Sequence, residues 1–297
     1  ILAIQAEGLS KRYRIGERRA AYSTLRESLS NLTKMPRRKG NALRRHDREK
    51  FVWALKDVSF EVKRGDRIGI IGRNGAGKST LLNGLAGVHR ADEGQMWIGG
   101  RNVTDWPEHR RAAHIGRVFQ DPLVGTCASL SIEQNMALSF KRGQGRGLSL
   151  GVKQQDRGFF REQLQILGLG LEDRLKASVG LLSGGQRQAL TMVMATLIEP
   201  EVLLLDEHTA ALDPKTARQI LELTGQIVAI KQLTTMMVTH NMAQALAYGN
   251  RLVMLHQGCI ILDVSGEEKK NLTVEDLLAQ FYTAQGEAFA SDRALLC

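Results

Sequence analysis

Asp66-Arg67-Ile68-Gly69-Ile70-Ile71-Gly72-Arg73-Asn74-Gly75-Ala76-Gly77-Lys78-Ser79-Thr80-Leu81-Leu82 runs from an apolar, strand-sized segment through a glycine-rich turn into a helix-forming segment. Residues 72–79 fit the pattern G-x-x-x-x-G-K-[ST]. The chemistry behind the pattern is direct. Gly72, Gly75 and Gly77 let backbone N–H groups on either side of Asn74 turn inward around phosphate oxygens, and the helix that follows offers its positive end. Lys78 brings a point charge to the β- and γ-phosphates, the Ser79 hydroxyl suits Mg2+, and Thr80 opens the helix. A chance glycine turn is the rival reading, and the strand before and helix after this one argue against it.

Work outward toward the C-terminus and Val202-Leu203-Leu204-Leu205-Asp206-Glu207 is the next such segment. An apolar strand delivers carboxylates to its C-terminal end, the edge where α/β sheets bind ligands. Asp206 is expected to hold Mg2+ and Glu207 to act as general base on a water. Some 20 residues ahead of Asp206 stands Leu182-Ser183-Gly184-Gly185-Gln186, paired glycines opening a helix. This is a second phosphate-binding surface. A single nucleotide needs one, so the second is expected to cover a nucleotide held by another copy.

With these motifs in this order, the chain resembles the ABC ATPase superfamily, whose signature is LSGGQ, over nearly its whole length. The resemblance implies ATP and Mg2+ as cofactors, and a fold with an α/β phosphate-loop core, an antiparallel β subdomain near the N-terminus and a helical signature subdomain. It places the Q-loop glutamine at Gln120 in Val118-Phe119-Gln120-Asp121-Pro122, as a sensor of the metal and the attacking water. It assigns Ala211-Leu212-Asp213 to a loop that meets the opposite subunit, and His240 in Met237-Val238-Thr239-His240 to the γ-phosphate. It makes Ser183, Gly184, Gly185 and Gln186 the cover for the partner's nucleotide. Tyr13, after the first strand, is the expected stacking partner of adenine, with Trp53 as a rival. Where many members have proline after the catalytic glutamate, this chain has His208. Variation within a turn accounts for it better than an extra catalytic base or a metal ligand, with no Cys or second His at ligand spacing nearby.

Alternation of strand-sized runs (202–205, 234–238, 251–255) with helical segments such as 214–231 predicts a parallel sheet covered by helices. Residues 2–7 and 58–62 read as strands, the latter half-buried. Residues 121–190 read as a mostly helical subdomain, with Ser131 and Gln134 spaced as a capping box and a helix over 153–167. A last helix begins near Thr273. The expected organisation is one ABC ATPase domain over 1–285 and a short tail over 286–297.

The 297 residues are 43% hydrophobic and 24% charged, an ordinary globular balance, and no apolar run approaches the roughly 18 residues of a membrane span. The chain is expected to be soluble and to meet the membrane through a partner. Three dispersed cysteines suggest neither a disulfide framework nor a zinc site. The net charge of +10 is confined to residues 11–50, where 14 Lys and Arg face 4 Asp and Glu. Within them, 16–50 reads as a basic insertion carrying an amphipathic helix over 18–35, ended by Pro36. It suits a solvated face, an anionic membrane surface or a nucleic acid. One nucleotide domain, no long coiled coil, no zinc pattern and no aromatic interleaving in the basic run 36–50 make a nucleic-acid role the weaker expectation.

Two resemblances differ in direction. Residues from about 87 to 281 are similar to bacterial binding-protein-dependent uptake ATPases. Residues 1 to about 86 are similar to ATPases that export teichoic acid or O-antigen polysaccharide, and a chimera joined in the phosphate-loop helix would explain both. The implied partners are a second copy or paired ATPase subunit, transmembrane permease subunits and a solute-binding protein, without nucleic acid. The implied place is the cytoplasmic face of the membrane.

Overall fold

The computed structural model describes residues 1–14, 51–145 and 151–294; the amphipathic helix expected over 18–35 and its basic linker lie outside them. Ten strands and nine helices follow among the described residues. Strands β1 (Leu2–Arg14), β2 (Phe51–Lys63), β4 (Glu93–Ile98) and β5 (Arg101–Asn102) form an antiparallel sheet in the order β2-β1-β4-β5. Strands β3 (Arg67–Gly72), β6 (Ile115–Val118), β7 (Val202–Asp206), β8 (Thr235–Val238), β9 (Arg251–His256) and β10 (Cys259–Ser265) form the second sheet, in the order β10-β9-β3-β8-β7-β6. All neighbours in it are parallel except β9 and β10.

The apolar run of β7 shows why this second sheet is central. Val202 and Leu204 enter one core with Ile68, Ile70, Leu81 and Leu82, whereas Leu203 and Leu205 enter another with Leu190, Val193, Ile227 and Met237. A strand's side chains alternate between faces, so a continuous apolar run is what a sheet covered on both sides requires. By contrast β2 buries Val58, Phe60 and Val62 and leaves Ser59 and Glu61 exposed, as expected of a sheet with one covered face.

Helices α1 (Lys78–Ala86), α2 (Glu108–Arg111), α3 (Ile132–Phe140), α4 (Gln154–Gln165), α5 (Gly184–Thr196), α6 (Pro214–Ile230), α7 (Met242–Ala247), α8 (Gly266–Lys270) and α9 (Val274–Ala294) complete the chain. Between β6 and β7 the described elements are all helical. There, the Ser131–Gln134 box is formed: Gln134 N donates to Ser131 Oγ at 3.3 Å and Ser131 N donates to Gln134 Oε1 at 2.8 Å. Phe140, Phe159 and Phe160 join α3 to α4 with ring centroids 5.4–6.2 Å apart.

Two bounds differ from the sequence reading. Strand β1 runs seven residues past the expected end, because Asp92 holds its charged half: Lys11 Nζ and the Arg12 backbone N donate to the Asp92 carboxylate at 3.1 and 2.8 Å. Helix α9 continues to Ala294, so the boundary drawn at 285 falls inside it. No helix among the described residues is long and apolar enough to cross a membrane.

Candidate functional site: a phosphate cradle at the sheet's carboxyl edge

Sheet order brings most of the candidate residues together. The adjacent strands β3, β8, β7 and β6 end, in that order, at Gly72, Val238, Asp206 and Val118. The phosphate loop leaves β3, His240 follows β8, Asp206 and Glu207 close β7, and Gln120 follows β6. Four motifs distant in sequence thus share one edge.

The loop itself is built by close approach. A Cβ on Gly72 would stand 2.6 Å from Leu255 O, and one on Gly77 would stand 2.5 Å from Ala54 O. Gly77 also has φ 103°, a left-handed conformation that costs L-residues about 1–2 kcal/mol. It is the N-cap of α1 and has no side chain to cap the helix, so the leading N–H groups stay open to an anion. Lys78 is buried and folds back over the loop, donating to Gly72 O at 2.5 Å and Arg73 O at 3.2 Å. Burial lowers its ammonium below the ordinary lysine range, against the opposing pull of Glu207 and Asp206. Ser79 is exposed and Thr80 half-buried.

Glu207 sits at φ 44°, a conformation uncommon for a residue with a side chain and concentrated at functional sites. Its backbone is fixed on both sides: Glu207 N donates to Val238 O at 3.0 Å, and Ala210 N donates to Glu207 O at 2.9 Å. His240 Nδ1 lies 3.5 Å from Glu207 Oε2, and the His240 side chain is 65% exposed. Gln120 is exposed as well. The oxygen donors of Ser79, Asp206 and Gln120 are of the hard kind that Mg2+ takes, so the residues present fit that ion.

Other candidates stand apart. Ser183, Gly185 and Gln186 line a cleft of about 490 Å3 with Thr216, Gln219 and Glu222 of α6, and no phosphate-loop residue borders it. A separate cleft of about 630 Å3 holds Gly72, Arg73, Asn74 and His240 beside Leu278 and Tyr282 of α9. Ser183 caps α5 and Asp213 caps α6, the latter accepting from Thr216 N at 3.1 Å. The two caps are neighbours, since a Cβ on Gly185 would strike Thr216 Cγ2.

The aromatic pair separates by face. Arg12 is in register with Trp53 and Tyr13 with Val52, so Tyr13 and Trp53 project to opposite sides of the ribbon. Tyr13 meets His89, just past α1, edge-on at 6.0 Å, whereas Trp53 packs on the Arg12 guanidinium at 5.6 Å. His208 is fully buried, hydrogen-bonded through Nε2 to Thr224 Oγ1 at 3.2 Å, and burial pushes its pKa down to about 4. Neutral and enclosed, it packs the turn after β7.

Arg117, on β6, is a residue that motif reading misses. It donates to Asp206 Oδ2 at 3.1 Å. A charge inside the apolar strand Ile115–Val118 was the available signal.

Comparison with known proteins agrees with this geometry. The ABC transporter family model matches residues 55–210. The chain is 44% identical over 227 residues to a tyrosine transport ATP-binding protein of Clostridioides difficile, covering 76% of this chain and 90% of that protein. It is 38% identical over 211 residues to the methionine import ATP-binding protein MetN of Rhizobium johnstonii, covering 70% of this chain but 56% of that longer protein. Among solved structures, the dimeric post-hydrolysis state of the ATP-binding cassette MJ0796 bound to ADP and Pi superposes with a TM-score of 0.66. It is 25% identical, and the match covers 88% of this chain and 98% of that one. With the phosphate cradle, the paired carboxylates and the signature helix on one scaffold, the chain belongs to the ABC transporter family as an ATP-binding, ATP-hydrolysing subunit.

Proposed function

We propose that this subunit drives solute uptake, working as a head-to-tail pair in which each copy holds one ATP and covers the other's. In this reading the loop Gly72–Ser79 and Thr80 hold the phosphates, Lys78 neutralises them, and Tyr13 stacks on adenine. Ser183, Gly184, Gly185 and Gln186 close over the partner's nucleotide, and Asp213 lies in the turn that faces the other copy. Glu207 accepts a proton from the attacking water, His240 steadies the γ-phosphate, and Gln120 reports the state of the site to the helical subdomain over 121–190. Mg2+, held by Ser79, Asp206 and Gln120, would neutralise charge on the β- and γ-oxygens.

The observation that carries the reading is the convergence of four strand ends on one edge while the signature helix opens elsewhere. A site with its cover facing away needs a second copy. Uptake is supported by the likeness to import and transport subunits; the likeness of residues 1 to about 86 to polysaccharide exporters is the second reading. The chain would act as one ATPase domain at the cytoplasmic face of the membrane, on transmembrane permease subunits, supplied by a solute-binding protein and without nucleic acid.

Glu207→Gln tests the engine. With the base gone, ATP should bind and trap a dimer detectable by size exclusion, while turnover falls by roughly 100-fold or more. Normal turnover in that variant would remove Glu207 from the role. Direction is tested in vesicles with the permease, by whether ATP drives solute toward or away from the nucleotide side.

A further inference from the structure

Arg117 stands where a cation is expected to arrive. On β6 it is in register with Leu204 of β7, two residues short of Asp206. Its Nη2 donates to Asp206 Oδ2 at 3.1 Å, and its Cζ lies 4.6 Å from the centre of the Phe119 ring. The Arg117 and Asp206 side chains are only 13% and 17% exposed. Water screens such a pair poorly. Arg117 Nε is buried without a partner, so the guanidinium meets the carboxylate through a single bond and not as the two-pronged fork that arginine can form.

The aromatic support is itself held. Gln188, fully buried on the signature helix α5, donates from Nε2 to Phe119 O at 3.3 Å. Phe119 immediately precedes Gln120. Arg117 therefore lies between the carboxylate of β7 and the loop that carries the glutamine.

We propose that Arg117 is a built-in competitor for the cation at Asp206. In the metal-free chain the guanidinium neutralises that carboxylate, and a divalent ion must displace it or share the carboxylate with it. Like charges a few ångströms apart in a shielded site repel strongly, so Arg117 sets how much metal the site demands. One hydrogen bond with an unused Nε is a hold that an incoming divalent charge can break. A displaced guanidinium keeps its place on the Phe119 ring, so metal arrival is felt at the residue before Gln120. The inference rests on the assignment of Asp206 to the metal in the reading above.

The test is Mn2+ binding, followed by its electron paramagnetic resonance signal, in the presence of a non-hydrolysable ATP analogue. Wild type, Arg117→Met and Arg117→Lys are compared after each is shown by thermal melting to be folded. Arg117→Met, which keeps the length and apolar packing but loses the charge, should bind Mn2+ roughly tenfold more tightly. Arg117→Lys keeps the charge and should stay near wild type. Arg117→Gln serves in place of the Met variant if that one fails to fold. Unchanged or weaker Mn2+ binding in the charge-free variant would overturn the proposal. If wild type binds the nucleotide analogue but no Mn2+ with it, the assignment of Asp206 fails first, and the proposal with it.

Discussion

Helices α1 and α5 both begin at a glycine-containing motif, yet their first turns are arranged in opposite ways. Helix α1 starts from Gly77 with no side-chain cap, and Lys78 folds back over the loop ahead of it. Helix α5 starts from Ser183 in a closed box: Gln186 N donates to Ser183 Oγ and Ser183 N donates to Gln186 Oε1, both at 3.2 Å. The cation near α5, Arg187, turns away to the carbonyls of Val179 and Gly180. One helix thus offers open N–H groups and a charge, and the other satisfies part of its own end and brings no charge. That asymmetry suits a binder and a cover.

Cations hold both C-termini, a single arginine on α1 and two separate cations on α5. The carbonyls of Gly84 and Leu85 on α1 accept from Arg111 Nη1 at 2.6 and 3.0 Å. On α5, Ala195 O accepts from Arg142 Nη2 at 2.9 Å and Thr196 O from Lys231 Nζ at 3.0 Å. Cations at these ends complement the helix dipole and fix the helices from behind, leaving their N-termini for ligand.

Gly77→Ala breaks the comparison most severely. The new Cβ would strike the Ala54 carbonyl, which is backbone and cannot step aside, at a positive φ that alanine resists. We expect a loss of about 4 kcal/mol in denaturant unfolding, together with loss of nucleotide binding. A stable variant that still binds ATP would mean the loop is free to re-form.

Arg111→Met comes next. Arg111 is 1% exposed, and besides the α1 carbonyls it donates to Trp106 O and Thr104 O, both at 3.0 Å. Its removal leaves several buried carbonyls unpaired, for a loss of about 3 kcal/mol. Arg142→Met frees Ala195 O on α5 and should cost about 1 kcal/mol. Equal losses would show that the two C-termini are not anchored differently.

These two regions also mark what sequence could tell. The phosphate loop, Asp206 with Glu207 and the paired glycines of residues 182–186 were legible because each needs particular residue types at fixed spacing, whereas the cap at Ser183 emerged only with the fold. Arg111 was not. In Glu108-His109-Arg110-Arg111 it reads as one more surface charge, and only the tertiary fold supplies its carbonyl partners from residues 84–106. The outer half of β1 was hidden for a related reason: Lys11, Arg12 and Arg14 look like a loop until Asp92 and the Phe51–Trp53 edge are set beside them. His208 went the other way. Its residue type suggested chemistry, the sequence favoured simple variation within a turn, and the fold buries it against Thr224.

Gly185→Ala tests the cover with a milder clash. The new Cβ would meet Thr216 Cγ2, a side-chain methyl, in place of backbone. The cost should be about 2 kcal/mol, with ATPase activity reduced, and Thr216→Ser, which deletes that methyl, should recover at least half of the stability in the double variant. Failure of the second substitution to help would place the strain in the α5 backbone and not in its contact with α6.

Ser183→Ala is the mildest and the most discriminating. The cap removed is one side-chain acceptor at an exposed helix end, worth about 1 kcal/mol. Stability should therefore fall little. If the cap only holds the helix, ATPase activity should follow that small loss, and nucleotide binding by the monomer should not change, because α1 holds the phosphates unaided. If Ser183 also covers the partner's nucleotide, activity should fall further than stability, and ATP-driven dimerisation of the Glu207→Gln background should weaken. Monomer affinity that drops in step with activity would contradict both, and would make α5 part of the binder within its own chain.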